Sequence, residues 1–357
     1  MMNAKSIRIK DIAQLAGVSV GTVDRVLHNR GRVSEDALRK VMGVLESIDY
    51  KPNLIARTLG ANKTYRIAAL MPNPEQDPYW ASTKSGMSQA EAEWLRYGVK
   101  VESHFFNLYD KKSFRQVAET VSESKPDGIL VAPIFYHETL PFFEKFKANG
   151  IPYVLFNTNI PEADALSFIG QNLYQSGRVG AELMRLAQQD DKGTLVVIHI
   201  NEDLDNSVHL AEKEKGFREY FDNKGSLGFQ IITINLTDTT NASAEAQIKS
   251  LLSNPDVKGI FVSTSKGTYL IASFLERENK TNIKLVGYDM LQENIRYMKK
   301  GVVDFLINQN PKRQAFLGIN HLVGHLILKK DAPRQDLLPL EIISKENLES
   351  YLTSEIH

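Results

Sequence analysis

The 357-residue sequence contains no cysteine. That excludes a disulfide framework, a thiolate metal site and a cysteine nucleophile. No apolar run approaches the roughly 20 residues a membrane-spanning helix requires. The start is polar, with Lys5, Arg8 and Lys10 followed by Asp11, so neither membrane insertion nor a secretory leader is expected. GxGxxG, GxxxxGK(S/T) and HExxH are all missing, which removes the usual phosphate, dinucleotide and zinc-hydrolase signatures. His321 and His325 share the i, i+4 spacing of paired metal ligands. Without a glutamate beside His321 or a third ligand in reach, no metal is expected. Glu202, Asp203 and Asp205 read as a solvated acidic turn. No cofactor and no catalytic activity are expected.

Net charge is also lacking, with 43 Lys/Arg against 43 Asp/Glu, but the balance hides an asymmetry. Residues 1–63 hold eleven Lys/Arg and six Asp/Glu, an excess of five positive charges, and the remainder carries the opposite excess. A basic end on an acidic body is the electrostatic footprint of a chain that meets phosphate at one end. The apolar fraction of 42% suits a folded protein, and the length suits two or three domains.

In the basic end, Ile9, Ile12, Ala13 and Ala16 recur at helical spacing, and Gly17 follows where a positive φ is cheap. Ser19 is placed to cap a second helix from Val20 to about His28, with Val23, Val26 and Leu27 inward. Ser34-Glu35-Asp36-Ala37 opens a third, with Leu38, Val41, Val44, Leu45 and Ile48 as its inner stripe. Two short helices joined by a glycine turn make the helix-turn-helix pattern, whose second helix enters the major groove. A generic helical hairpin would share that spacing. Beyond it, Pro52 preorganises a helix start and Asn53 to Leu59 covers two turns, too short to be stable alone in water.

From Arg66 onward, apolar runs at Ile67–Met71, Val99–Phe106, Gly128–Ala132 and Tyr153–Phe156 alternate with helical stretches. The alternation resumes at Thr194–Ile200, Phe229–Ile234, Gly259–Val262, Lys284–Gly287 and Phe305–Ile307. Short strands separated by helices predict parallel sheets covered on both faces, and two such series predict two doubly wound lobes. Ligands of such sheets bind beyond the carboxyl ends of the strands.

The segment AxxAGVSxxTVxRVL, then RVS, a helix ending DYKPN, and ARTL resemble the LacI–GalR family of bacterial transcriptional regulators. The resemblance covers essentially the whole chain and is most specific over residues 8–60. It implies an α/β fold: a small all-α helix-turn-helix head, then two doubly wound parallel-sheet lobes of the periplasmic-binding-protein type I kind. Carried over, Ser19 and Thr22 are phosphate contacts, and Val20, Gly21 and Arg25 face base edges. Arg25 is able to pair bidentately with guanine, and Val20 can meet a thymine methyl. Asp24 replaces the usual serine and either orients Arg25 or accepts from cytosine. Arg30, Arg32 and Lys51 neutralise phosphate, Asn53 and Arg57 are further DNA-binding positions of the hinge segment, Ala56 lets two hinge helices approach, and Leu59 matches the leucine wedged into the minor groove.

In the body, the stretch from Asn73 to Trp80 resembles ribose-type binding proteins. Tyr79 and Trp80 are expected to stack on a sugar ring and Asp77 to accept from its hydroxyls, although Trp80 at this place could simply be core. Asn157, His209, Lys213, Thr264, Asp289 and Gln309 complete the implied ligand contacts. Asn157 and Asn172 stand where aspartate is frequent, Lys213 where arginine is usual and Thr264 where asparagine is. Lysine lacks arginine's bidentate fork, so the effector stays open beyond a sugar-like, hydroxylated small molecule.

The expected organisation is a DNA-binding domain at 1–51, a hinge at 52–63, and a ligand-binding and dimerisation domain at 64–350. Its lobes are about 64–168 with 309–336, and 169–308 with 337–350. The expected partners are a pseudo-palindromic double-stranded operator, a small sugar effector and a second copy of the chain. The end at His357 without a leucine-heptad tail favours a dimer. The expected place is the bacterial cytoplasm, at the nucleoid when DNA is bound, and the role is that of a repressor. The rival readings are a sugar receptor that binds no operator, and a sugar-metabolising α/β enzyme.

Overall fold

The computed structural model describes residues 9–28, 33–47, 63–200, 206–223, 228–236 and 242–354. The chain divides into two compact units, Met1–Ala61 and Asn62–His357.

In the first unit, helix α1 spans Ile9–Ala16, α2 Val20–His28 and α3 Glu35–Ser47. Gly17 ends α1 at φ +62°. Val18 N–H then reaches Ala13 O at 3.0 Å and Gly17 N–H reaches Gln14 O at 3.4 Å, the paired bonds of a Schellman terminus that no residue with a Cβ forms as cheaply. Ser19 caps α2, its Oγ accepting from Thr22 N at 3.1 Å. Ser34 Oγ accepts from Ala37 N to open α3, where Glu35 and Asp36 meet the positive end of the helix dipole. Ile12, Ala13, Ala16, Val23 and Val41 form the core, with Val26, Val44 and Leu45 packed around it. The expected inner stripe of α3 is therefore shorter than its spacing suggests. Leu38 is 43% exposed, because a core closed around Val41 leaves the first turn of a thirteen-residue helix uncovered. Ile48 and the side chain of Leu27 lie outside the described residues.

The second unit holds two six-stranded sheets. The first runs in the order β11-β5-β4-β3-β1-β2 and the second β12-β10-β9-β8-β6-β7. In the first sheet, β1 is Tyr65–Pro72, β2 Val99–Phe106, β3 Gly128–Val131, β4 Tyr153–Phe156, β5 Ser167–Gly170 and β11 Gln335–Leu337. In the second, β6 is Lys192–Ile200, β7 Gly228–Leu236, β8 Val257–Val262, β9 Lys284–Tyr288, β10 Phe305–Asn308 and β12 Glu341–Ile343. Every pairing is parallel except β10 with β12. In each sheet the order reverses beside its first strand, β1 or β6, and a crevice opens at that switch point. The inner strands are apolar runs because both faces are covered, as β1 shows from Ile67 to Pro72, whereas the edge strands β2 and β7 carry exposed residues such as Lys100 and Gln230.

All nine strands read from the sequence are present. The three unanticipated ones are β5, as short as β3 and β4, and β11 and β12, three residues each that include Gln335, Asp336 and Glu341 and so are not apolar runs. β5 and β11 pair with each other, Gln335 to Phe168 through Leu337 to Gly170. The first sheet thus extends one or two residues past the lobe limits of 168 and 336 suggested by the sequence. The late helix Pro311–Leu326 returns to this lobe, burying Ala315, Ile319, Leu322 and Val323 in its core. The histidine pair falls on that helix. His321 is engaged by Ser167 Oγ at 3.0 Å and Asp336 at 3.2 Å, a structural bridge to the β5–β11 pair. Among the described residues no cluster of His, Asp or Glu could hold a metal ion, and no helix is long and apolar enough to cross a membrane.

Candidate functional site

A cleft lies where the carboxyl ends of the two sheets face each other, with about 430 Å³ of empty space, part of it open to solvent. From the first lobe it is lined by Asp77, Tyr79, Trp80 and Asn157, from the second by His209, Lys213 and Thr264, and at the crossing that follows β10 by Gln309. Eight of the nine expected contact residues are thus brought to one place.

Asp77 caps the helix Pro78–Trp94, its Oδ1 accepting from Tyr79 N at 2.9 Å, which aims the first turn of that helix at the cleft. Trp80 belongs to the core of the first lobe. It lines the cleft and meets Tyr79 and Phe156 edge-to-face, centroids 4.9 and 6.1 Å away. Tyr79 is buried, and its hydroxyl accepts from Asn157 Nδ2 at 2.7 Å. Burial, reinforced by the Asp289 charge, raises that hydroxyl well above the ordinary phenol range and keeps it neutral.

Asn157 ends β4 and Asp289 ends β9, the fourth strands of their respective lobes. Both turn through positive φ, +69° and +60°, the left-handed region that Asn and Asp tolerate best. Their roles then diverge. Asn157 reaches the cleft, whereas Asp289 stands behind its lining. Its Oδ1 accepts from Gln309 N at 2.7 Å, and its Oδ2 accepts from Gln309 Nε2 at 2.7 Å and from the Ser265 hydroxyl. This corrects the expectation of a direct contact: Asp289 holds Gln309 and Ser265 in place. Burial pushes its carboxyl above the usual range, opposed by those hydrogen bonds and by the Lys213 charge.

Lys213 is 2% exposed. Its ammonium donates to Ser263 O at 3.0 Å and Gln309 Oε1 at 3.3 Å and lies 3.7 Å from the Tyr288 ring centre. Thr264 caps the helix Ser265–Arg277 by accepting from Gly267 N. Asn172, by contrast, is exposed and caps the helix Leu173–Leu186 without lining the cleft.

Four further lining residues, Leu108, Ile134, Ser263 and Ser265, escaped the sequence reading. They follow β2, β3 and β8, where the strand-end rule would have looked, but none has the side chain of an obvious sugar contact. Ser263 also leads away from the cleft. Its Oγ meets His199 Nδ1 at 2.7 Å, and His199 Nε2 meets Glu214 Oε2 at 2.7 Å. Burial works against the charge on Glu214, but bonds from His199, Thr233 and Arg218 outweigh it and hold the carboxyl down at about 2.

Bonds also cross the cleft. Asn206, at the foot of the helix Val208–Asp222, donates to Glu138 Oε2 at 2.6 Å and accepts from His137 N at 2.9 Å. Lys266 Nζ reaches Gln76 O at 3.1 Å. Where the chain passes between lobes, Gln171 Nε2 donates to Asn308 O and Pro339 O, joining all three crossings.

In the head, Ser19, Val20, Gly21 and Arg25 are exposed while Val23 is fully buried. Ser19 and Thr22 hydroxyls pair at 2.9 Å, and Asp24 is half-buried. The start of α2 therefore presents a small, nearly flat surface with one long cationic side chain, Arg25. Arg30, Arg32, Lys51, Asn53, Ala56, Arg57 and Leu59 lie outside the described residues.

Residues 8–53 match the model of the bacterial regulatory proteins of the lacI family, and residues 67–330 match the periplasmic binding protein domain. The chain belongs to the LacI family. Similar LacI-type relatives include the sucrose operon repressor of Streptococcus mutans, 26% identical over 96% of this chain and 99% of that one. The ribose operon repressor of Bacillus subtilis is 24% identical over 80% and 82%. A solved structure assigned to the LacI transcriptional regulators, from Bacteroides fragilis, superposes with a TM-score of 0.73 at 29% identity, covering 81% of this chain and all of that one. The LacI-family chain therefore joins a helix-turn-helix DNA-binding domain to a sensor of the periplasmic-binding-protein fold, and its relatives are transcriptional regulators, not enzymes.

Proposed function

We propose that this LacI-family chain is a transcriptional repressor that binds a pseudo-palindromic operator as a homodimer, in the bacterial cytoplasm, and that a small sugar-like effector in the cleft sets its grip. The observation that carries the sensing half is the cleft itself. An aromatic pair, capped helix starts and a buried lysine converge there between lobes joined by bonds such as Asn206 to Glu138. The names of the sucrose and ribose operon repressors support a sugar as the ligand class. Exposure of Val20, Gly21 and Arg25 on α2 supports base reading, and a two-fold protein requires a two-fold site. Effector binding changes the lobe arrangement, which biases whether the segment from Asn53 to Leu59 can pair with its copy on DNA.

Fluorescence anisotropy with palindromic DNA from upstream of the chain's own operon tests this. Salt-sensitive binding that a sugar strengthens or weakens is expected. Absence of binding to any such site at low salt would refute the regulator reading. Leu59→Ala is expected to lower operator affinity and DNA bending, and an unchanged bend would refute the minor-groove wedge.

A further inference from the structure

The polar lining of the cleft gives way at one corner, where the loops after β2 and β3 present Leu108 and Ile134, 7% and 3% exposed. Their backbone donors are already committed, Leu108 N–H to Gln76 Oε1 and Ile134 N–H to Ala132 O, each at 2.9 Å. This corner offers a ligand two aliphatic side chains and no N–H from either residue. Its flanks are tied to the other lobe. Gln76, which braces Leu108, bonds to it through Lys266. His137 and Glu138, just beyond Ile134, bond to it through Asn206.

The charge inventory narrows the ligand further. Among the described residues, Lys213 is the only lysine or arginine that lines the cleft. Its ammonium already faces Ser263 O, Gln309 Oε1 and the Tyr288 ring, with the Asp289 carboxylate behind, and Asp77 adds a second carboxylate to the site. Among the described residues, the lining therefore offers no second lysine or arginine for a phosphate or a sugar acid.

We propose that the effector is an uncharged single sugar ring whose edge against Leu108 and Ile134 lacks an exocyclic hydroxyl, a pentopyranose or a 6-deoxyhexose in preference to the parent hexose. The inference rests on the cleft being the effector site. A hydroxyl buried against this corner meets two aliphatic side chains and no N–H donor from either residue, whereas a methyl or ring methylene is buried favourably. Discrimination of about 10- to 100-fold against the hexose follows, the range a hydrophobic pocket reaches against an added hydroxyl.

Titration calorimetry on the full chain, with sugars matched in ring configuration, decides it. The sets are D-xylose, 6-deoxy-D-glucose and D-glucose; L-arabinose, D-fucose and D-galactose; D-ribose and D-allose; and L-rhamnose and L-mannose. Sucrose, gluconate and glucose 6-phosphate serve as the larger and the charged comparisons. In the set that binds, the hexose is expected to be weaker by about tenfold or more, and Leu108→Ser is expected to shrink that gap. A hexose that binds as tightly as its deoxy or pentose partner overturns the proposal. Binding confined to sucrose, gluconate or the phosphate also overturns it while leaving the sugar-sensor reading intact. If none of these compounds binds, the proposal and that reading fall together.

Discussion

Asn206 and Glu138 belong to different lobes and lie 68 residues apart in sequence, yet the Asn206 amide donates to Glu138 Oε2 at 2.6 Å while Arg115 holds the other oxygen at 2.8 Å. A nearly buried carboxylate thus receives one partner from its own lobe and one from across the cleft. Separation of the lobes removes the second, so the pair stabilises the closed arrangement specifically.

Asn206→Ala should therefore weaken binding of whichever sugar the calorimetric panel identifies, by about ten- to a hundredfold, because a hydrogen bond to a charged group is worth about 1.5–3 kcal/mol. It should also speed amide exchange at His137, whose N–H loses its acceptor. Unchanged affinity and unchanged exchange together would show that the bridge plays no part in closure.

The helices Leu173–Leu186 and Val208–Asp222 approach through reciprocal glycines. A Cβ at Gly177 would sit 1.9 Å from Lys213 O, and one at Gly216 would sit 1.9 Å from Tyr174 O. Backbone cannot yield as a side-chain tip does. Gly177→Ala should cost about 1–3 kcal/mol in urea unfolding and also reduce effector affinity, because the displaced atom belongs to Lys213. Loss of stability with native affinity would separate the packing from the site.

Glu214 supplies a pH signature. Its folded value of about 2 lies below the unfolded one near 4.5. The stabilisation is therefore present in full above about pH 5 and is lost as acidity carries the group down through its folded value. About 3 kcal/mol is at stake by linkage. Urea midpoints followed from pH 6 to pH 2 should fall less steeply in Glu214→Gln than in the native chain. Parallel curves would mean that His199 and Arg218 do not hold the carboxylate as the distances imply.

Arg25→Ala, on the exposed face of α2, should reduce affinity for an operator that carries its guanine by about 1–3 kcal/mol, and non-specific DNA affinity much less. Gel-shift competition between the operator and a variant changed at that base pair measures both. An equal loss on all sequences would make Arg25 a phosphate contact instead.

The divergence of Asn157 and Asp289 shows where reading residues one by one stops. Both occupy matching strand ends and both turn through positive φ, and position alone assigns them the same role. Only the packing around Ser265 and Gln309 turns Asp289 from a lining group into a support. Leu108 and Ile134 illustrate the converse. They are unremarkable aliphatics after their strands until the folded chain sets them in the wall of a polar cleft.

By itself, the sequence determined the helix-turn-helix head, nine of the strands and, through its family resemblance, eight of the residues gathered at the cleft. Those features rest on periodicity, capping and strand-end position, which act between neighbours in the chain. The tertiary structure alone decided β5, β11 and β12, the exposure of Leu38, the Asn206–Glu138 bridge and the contacts of Lys213 with Ser263, Gln309 and Tyr288. Each depends on groups far apart in sequence meeting at a few ångströms, and no local pattern records such a meeting.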